Sequence, residues 1–177
     1  HLAERVGLPG FRRGRRYRAL DGAPAYGALY ECDEPEAMAS DAYRARLDDP
    51  SPLTSEMLAQ FVNMHRTVCR VEASGGRGVG GALAALRPAD DAAAKRFADG
   101  MAGLLEIPGI VAAHLCAGVP ELTRNDSAET RVRQGADALD VWLALVEGAD
   151  AASLRSALGD EQAALYEMIH VIHADDL

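Results

Sequence analysis

The stretch "ALYECDEPEAMAS", residues 28–40, returns without a gap as "ALVEGADAASLRS", residues 144–156. A second pair, "GLPGF" (7–11) and "EIPGI" (106–110), stands between a predicted helix and a predicted strand in both places. An internal repeat outranks local readings when a fold is chosen. Working outward, "HLAERVG" reads as the end of a helix, and Phe11–Leu20 and Ala25–Cys32 read as strands joined by a "DGAP" hairpin. A helix is predicted from Pro35, with Ala39, Tyr43 and Leu47 four apart, and a short one from near Pro52. "RTVCRVEAS" alternates as a strand does. "SGGRGVGG" (74–81) precedes a strand, whereas phosphate loops follow a strand and open a helix, so it reads as a linker.

The same order then repeats. Val79–Leu86 is strand-like, and "PADDAAAKRFADGMAGLLE" is an amphipathic helix with Phe97, Met101 and Leu104 or Leu105 on one face. "IPGIVAAHLCAG", "DALDVWLALVEG", "ADAASLRSALG" and "ALYEMIHVIH" follow as strand, strand, helix, strand. Each half is β-α-β-β-α-β, the ferredoxin-like order, with the first strand of the first half missing. The expected fold is α+β: two tandem ferredoxin-like units, residues 1–75 (truncated at the N-terminus) and 76–177, the second with an insert near 119–137. The chain opens in mid-helix without Met, which predicts a true N-terminus further upstream. An insert of this length is either a lid over a cavity or a surface excursion.

Composition narrows the function classes. The 177 residues carry a net charge of -9, which counts against nucleic acid, whose binding relies on a basic surface. No apolar run of about 18 residues is present, so no membrane span is expected, and no signal peptide is visible. The three cysteines, Cys32, Cys69 and Cys116, are widely spaced and lack CxxC, and no H-x-E or H-E-x-x-H occurs. These features predict a cytoplasmic protein without metal or cofactor.

The residues His1, Glu4, Arg5, Pro9, Gly10, Phe11, Arg13, Arg15, Arg16 and Tyr17 form a pattern that resembles the dimeric α/β-barrel superfamily, particularly its EthD-like and uncharacterised bacterial branches. "LYE" (29–31) followed by Ser40 and Tyr43, and Arg66 to Arg70, are similar to the same pattern. The resemblance implies that two ferredoxin-like units close their sheets into a barrel. Two chains usually do this; here one would suffice, as a monomer or homodimer. It also implies a hydrophobic cavity between sheet and helices. Members include monooxygenases, isomerases, cyclases and haem-degrading proteins, so the fold does not choose among them.

Candidate site residues come next. On a strand Phe11, Arg13, Arg15 and Tyr17 share one face, and Arg12, Gly14, Arg16 and Arg18 the other. Phe11 and Tyr17 mark the first set as facing the packed side, and Gly14 lets a helix or ligand approach. Most of these arginines are expected to be solvated or paired with acids on a neighbouring helix. Arg13 or Arg15 is expected to clamp a carboxylate or enolate, for which the guanidinium fork is suited, with Tyr17 beside them. His1, one turn from Glu4, is a candidate base. His114, which the repeat aligns with Arg15, is another. Trp142 is expected in the core or at a cavity rim. His170 and His173 should face opposite ways, one of them inward with Met168 and Ile172. The expected role is a small-molecule enzyme or binding protein of bacterial catabolism, taking an apolar carboxylate or keto compound, by cofactor-free proton transfer if catalytic. A non-catalytic carrier with an apolar cavity and a protein that only associates with a partner are the alternatives.

Overall fold

A computed structural model describes residues 2–21, 24–58, 60–61, 64–124, 127–128 and 139–177. The elements run α1 (Leu2–Val6), β1 (Phe11–Ala19), β2 (Tyr26–Cys32), a 3-10 turn (Pro35–Ala39), α2 (Asp41–Asp48), α3 (Pro52–Leu58) and β3 (Cys69–Gly76). Then come β4 (Ala82–Leu86), α4 (Asp91–Leu105), β5 (Ile110–Gly118), α5 (Pro120–Thr123), β6 (Trp142–Gly148), α6 (Ala151–Leu158) and β7 (Ala164–His173).

The seven strands form one antiparallel sheet in the order β2-β1-β7-β4-β6-β5-β3. Its middle, β7-β4-β6-β5, is a complete ferredoxin-like sheet. β1 of the first unit joins it on β7, and β3 joins it on β5. The sheet curls, so Leu29 of β2 and Cys69 of β3, from its two edges, pack on one interior cluster with Tyr17, Leu83, Cys116, Leu145 and Tyr166. The helices cover the outer face. Met101 and Ala94 of α4 pack on Ala113, Leu115 and Ala144, Leu154 of α6 packs on Ile110 and Val146, and Tyr43 and Leu47 of α2 pack on Phe11.

The repeated Pro-Gly joint has a backbone cause. Gly10 and Gly109 hold φ of 83° and 87°, a left-handed conformation that L side chains rarely adopt. Each is followed by a bulge at an equivalent place, at Arg12 in β1 and at Val111 in β5. The bulge turns Phe11 to the outer face, against Tyr43 at 5.7 Å between ring centroids, while Arg13, Arg15 and Tyr17 face inward. Strict alternation had placed Phe11 with them. A third bulge, opposite Arg16/Tyr17 in β7, separates Met168, which pairs with Tyr17, from Ile172, which pairs with Gly14 on the outer face. Met168 and Ile172 therefore do not share a face, contrary to the alternation.

Two further boundaries differ from the sequence reading. The helix predicted from Pro35 breaks at Ser40, whose side chain caps α2 by accepting from the Tyr43 N–H. Ser74–Gly76, read as linker, complete β3. No helix among the described residues is long and apolar enough to cross a membrane.

Candidate functional site

Five arginines occupy positions 12–18, and register decides what each meets. Arg12 pairs with Asp33 at 2.5 Å, and Arg18 with Glu167, both exposed on the outer face. Arg13 grips Glu31 with two nitrogens, at 2.7 and 3.0 Å. Arg15 is 2% exposed and bridges two carboxylates, Glu31 at 2.8 Å and Glu147 at 2.7 Å. Glu31 and Glu167 lie on the neighbouring strands β2 and β7 and Asp33 just past β2, while Glu147 reaches Arg15 from the more distant β6; none of the acids is on a helix. Gly14 takes the outer face, where an added Cβ would stand 2.7 Å from Val6 and 3.0 Å from Leu2 of α1.

The inward group is built from the repeat. Arg15 and His114 are repeat equivalents, and so are Glu31 and Glu147. Glu147 gathers the group: its Oε2 accepts from the Gly80 N–H at 2.8 Å, and His114 Nε2 stands 3.7 Å from its Oε1. The imidazole's other nitrogen, Nδ1, is 2.8 Å from Ser74 Oγ. Burial would raise the Glu147 pKa, but His114, the Gly80 N–H and Arg15 together hold it at about 2. Tyr17 lies beside Arg15, its hydroxyl without a hydrogen-bond partner among the described residues, and burial is the largest influence pushing its pKa up to about 12.

Arg13, Arg15, Tyr17 and His114 are thus brought to one interior region. Trp142 is not; its ring packs under α4 and its Nε1 donates to Asp91 at 2.8 Å, on the opposite side of the sheet. His1 lies outside the described residues, and Glu4 meets Thr54 at 3.4 Å. His170 and His173 pair with Arg16 and Arg13 and face opposite ways. At the start of the insert Thr123 is buried, its hydroxyl accepting from the Val68 N–H at 2.9 Å. The residues on which a lid would depend, Asn125 and 129–138, lie outside the described residues.

Arg16 differs from its neighbours. Alone among the five arginines, it has no carboxylate partner among the described residues. Its guanidinium stacks on the exposed Tyr26 ring at 5.5 Å and lines a hollow of about 220 Å³ between β1 and α3. The other walls are Leu53, Thr54, Met57, Leu58 and Phe61. Leu53 and Met57, one helical turn apart, are 66% and 40% exposed, while Leu58 is buried. Sequence reasoning placed Arg16 on the Gly14 face but passed it over. The available signal was the apolar spacing of α3 opposite that face.

No family model and no curated protein matches the sequence. Solved structures do. An "anthrone oxidase-like protein" superposes with a TM-score of 0.63 at 11% identity, over 99% of this chain and 84% of that one. A "Putative monooxygenase" from Fusobacterium nucleatum superposes with a TM-score of 0.55 at 9% identity, over 97% and 85%. At such identities the likeness is one of fold: an α+β barrel whose strands and helices correspond over nearly the whole chain. The fold class expected from the repeat is the observed one.

Proposed function

We propose that the protein binds a small apolar molecule bearing one carboxylate or keto group, in the hollow between β1 and α3, with Arg16 holding the polar end. The observation that carries this is the uncommitted guanidinium of Arg16 on an otherwise apolar wall. A cation without a carboxylate partner among the described residues, on an acidic chain and beside exposed leucine and methionine, is complementary to an amphiphilic anion. The hollow's volume, about 220 Å³, is below the roughly 300–1,000 Å³ of drug-sized sites, so the ligand is a short acid or one or two fused rings. The names of the fold neighbours, anthrone oxidase-like and monooxygenase, fit a small-molecule role.

A second reading, proton transfer with His114 as base, draws support from the ionised Glu147 beside its Nε2. It has less support than binding at Arg16, because Arg15, the expected anion stabiliser, is already neutralised by two carboxylates.

Calorimetry with aromatic and alicyclic keto acids, hydroxybenzoates and their methyl esters tests the binding. Arg16→Gln should weaken the acids by about tenfold or more, the worth of a charge-assisted hydrogen bond, and leave the esters little changed. Equal affinities in wild type and Arg16→Gln would refute the assignment. Leu53→Asp should weaken both classes.

A further inference from the structure

The Gly-rich stretch read as a linker instead carries a hydroxyl to an imidazole. Ser74 lies opposite His114 in the β3–β5 ladder, its Oγ 2.8 Å from Nδ1. On the ring's far side Nε2 is 3.7 Å from Glu147, an ion-pair distance longer than a hydrogen bond. Glu147 is fixed by Arg15 and by the Gly80 N–H. Hydroxyl, imidazole and oriented carboxylate thus stand in line, the arrangement that activates a serine nucleophile. The group sits where β3 and β6 end and β4 begins, at one mouth of the barrel. Ser74 is exposed there and the His114 side chain is 25% exposed, so a small reagent reaches both.

We propose that Ser74 is a primed nucleophile toward small activated acyl compounds such as aryl esters, at a site separate from the Arg16 hollow. Ser74 Oγ bonds to the carbonyl carbon as its proton passes to His114 Nδ1. The imidazolium so formed turns Nε2–H toward Glu147, and the 3.7 Å gap shortens as that charge develops. The C–O bond to the leaving alcohol then breaks, and the alcohol takes the proton from His114. Water adds to the acyl carbon while giving a proton to His114. The Ser74 ester bond breaks, and the serine recovers its proton as the acid departs. Ester and water become acid and alcohol, with no change of oxidation state. A positioned base of this kind contributes about 10²–10⁴-fold.

The full chain is treated with a fluorophosphonate probe and the adduct located by peptide mass. The expected result is one adduct, on Ser74, absent in Ser74→Ala and formed at least about tenfold more slowly in His114→Gln. No adduct, an adduct elsewhere, or an unchanged rate in a folded His114→Gln protein would overturn the proposal. Ser74→Cys gives a check that does not depend on altering His114. Its thiol should react with iodoacetamide near pH 6 about tenfold faster than a peptide thiol, because the imidazole takes its proton. A rate equal to the peptide's would overturn the proposal equally.

Discussion

Arg15 and Glu147 illustrate how a buried pair constrains the residues around it. Both side chains are 2% exposed, so removing the Glu147 charge leaves the buried Arg15 with Glu31 as its one carboxylate partner among the described residues. Glu147→Gln should cost about 3–5 kcal/mol, read as a drop in the urea midpoint at unchanged slope. The pH dependence has a definite sign. The Glu147 carboxyl titrates at about 2 in the folded protein, below its ordinary 4.5, so its stabilisation is present above pH 4.5. That contribution is lost as the pH falls through the folded value, and it amounts to about 3 kcal/mol for such a shift. Urea titrations across this range should show the loss in wild type and a flatter profile in Glu147→Gln. Tyr17 behaves oppositely: with its pKa pushed up to about 12, it stays protonated in the fold above the pH at which exposed tyrosines ionise. Of this group, the equivalence of Arg15 and His114 was legible from the repeat. The same alignment also set Glu31 against Glu147, and that signal went unused. The individual ion pairs were not legible, because a partner on the next strand depends on a register that a single bulge at Arg12 shifts, and Glu147 meets Arg15 from a strand that is not its neighbour.

Elements were legible wherever periodicity was strong, as in α4, whose Met101 and Ala94 face the sheet. Its start is fixed by Asp90, whose carboxylate accepts from the Ala93 N–H at 2.7 Å. Asp90→Ala should lower stability by about 1 kcal/mol, measured by thermal unfolding. The Pro-Gly joints predict a larger effect. A Cβ at Gly109 would sit 2.3 Å from Ser153 Oγ, at a φ of 87°. Gly109→Ala should therefore cost several-fold more than Asp90→Ala in the same measurement, through backbone strain and overpacking together. The bulges could not be read from sequence, since they answer to the curvature of the sheet rather than to a local residue preference. The end of β3 was hidden for a related reason. Glycine is depleted in strands, yet here Gly75 and Gly76 lie where a Cβ would meet Leu105 at 2.6 Å and the Val111 carbonyl oxygen at 2.2 Å.

The repeat had predicted the architecture because each half must bury one face of its strands, and the two halves do so against each other. Among the described residues the half before Gly76 has no counterpart of β4, which lies between β6 and β7. Its counterpart position lies between β2 and β3, the two edges of the seven-stranded sheet. Arg70 reaches across this seam to Glu36 at 3.1 Å. Arg70→Glu should leave the core unperturbed, as judged by the near-ultraviolet dichroism of Tyr17 and Trp142. Because the pair is exposed, the change in stability should stay within about 1 kcal/mol. The pairing of β1 with β7 has a temporal consequence. β1, the earliest described strand, is zipped to β7, the latest, so neither the Tyr17–Met168 contact nor the interior cluster around Tyr17 and Tyr166 can form until β7 has been made. The nascent chain must carry the five arginines of β1 without Glu147 and Glu167 as partners until those residues emerge. Closure of the sheet on β7 is therefore a late step, and a ribosome stalled before β7 would hold a chain that is still open.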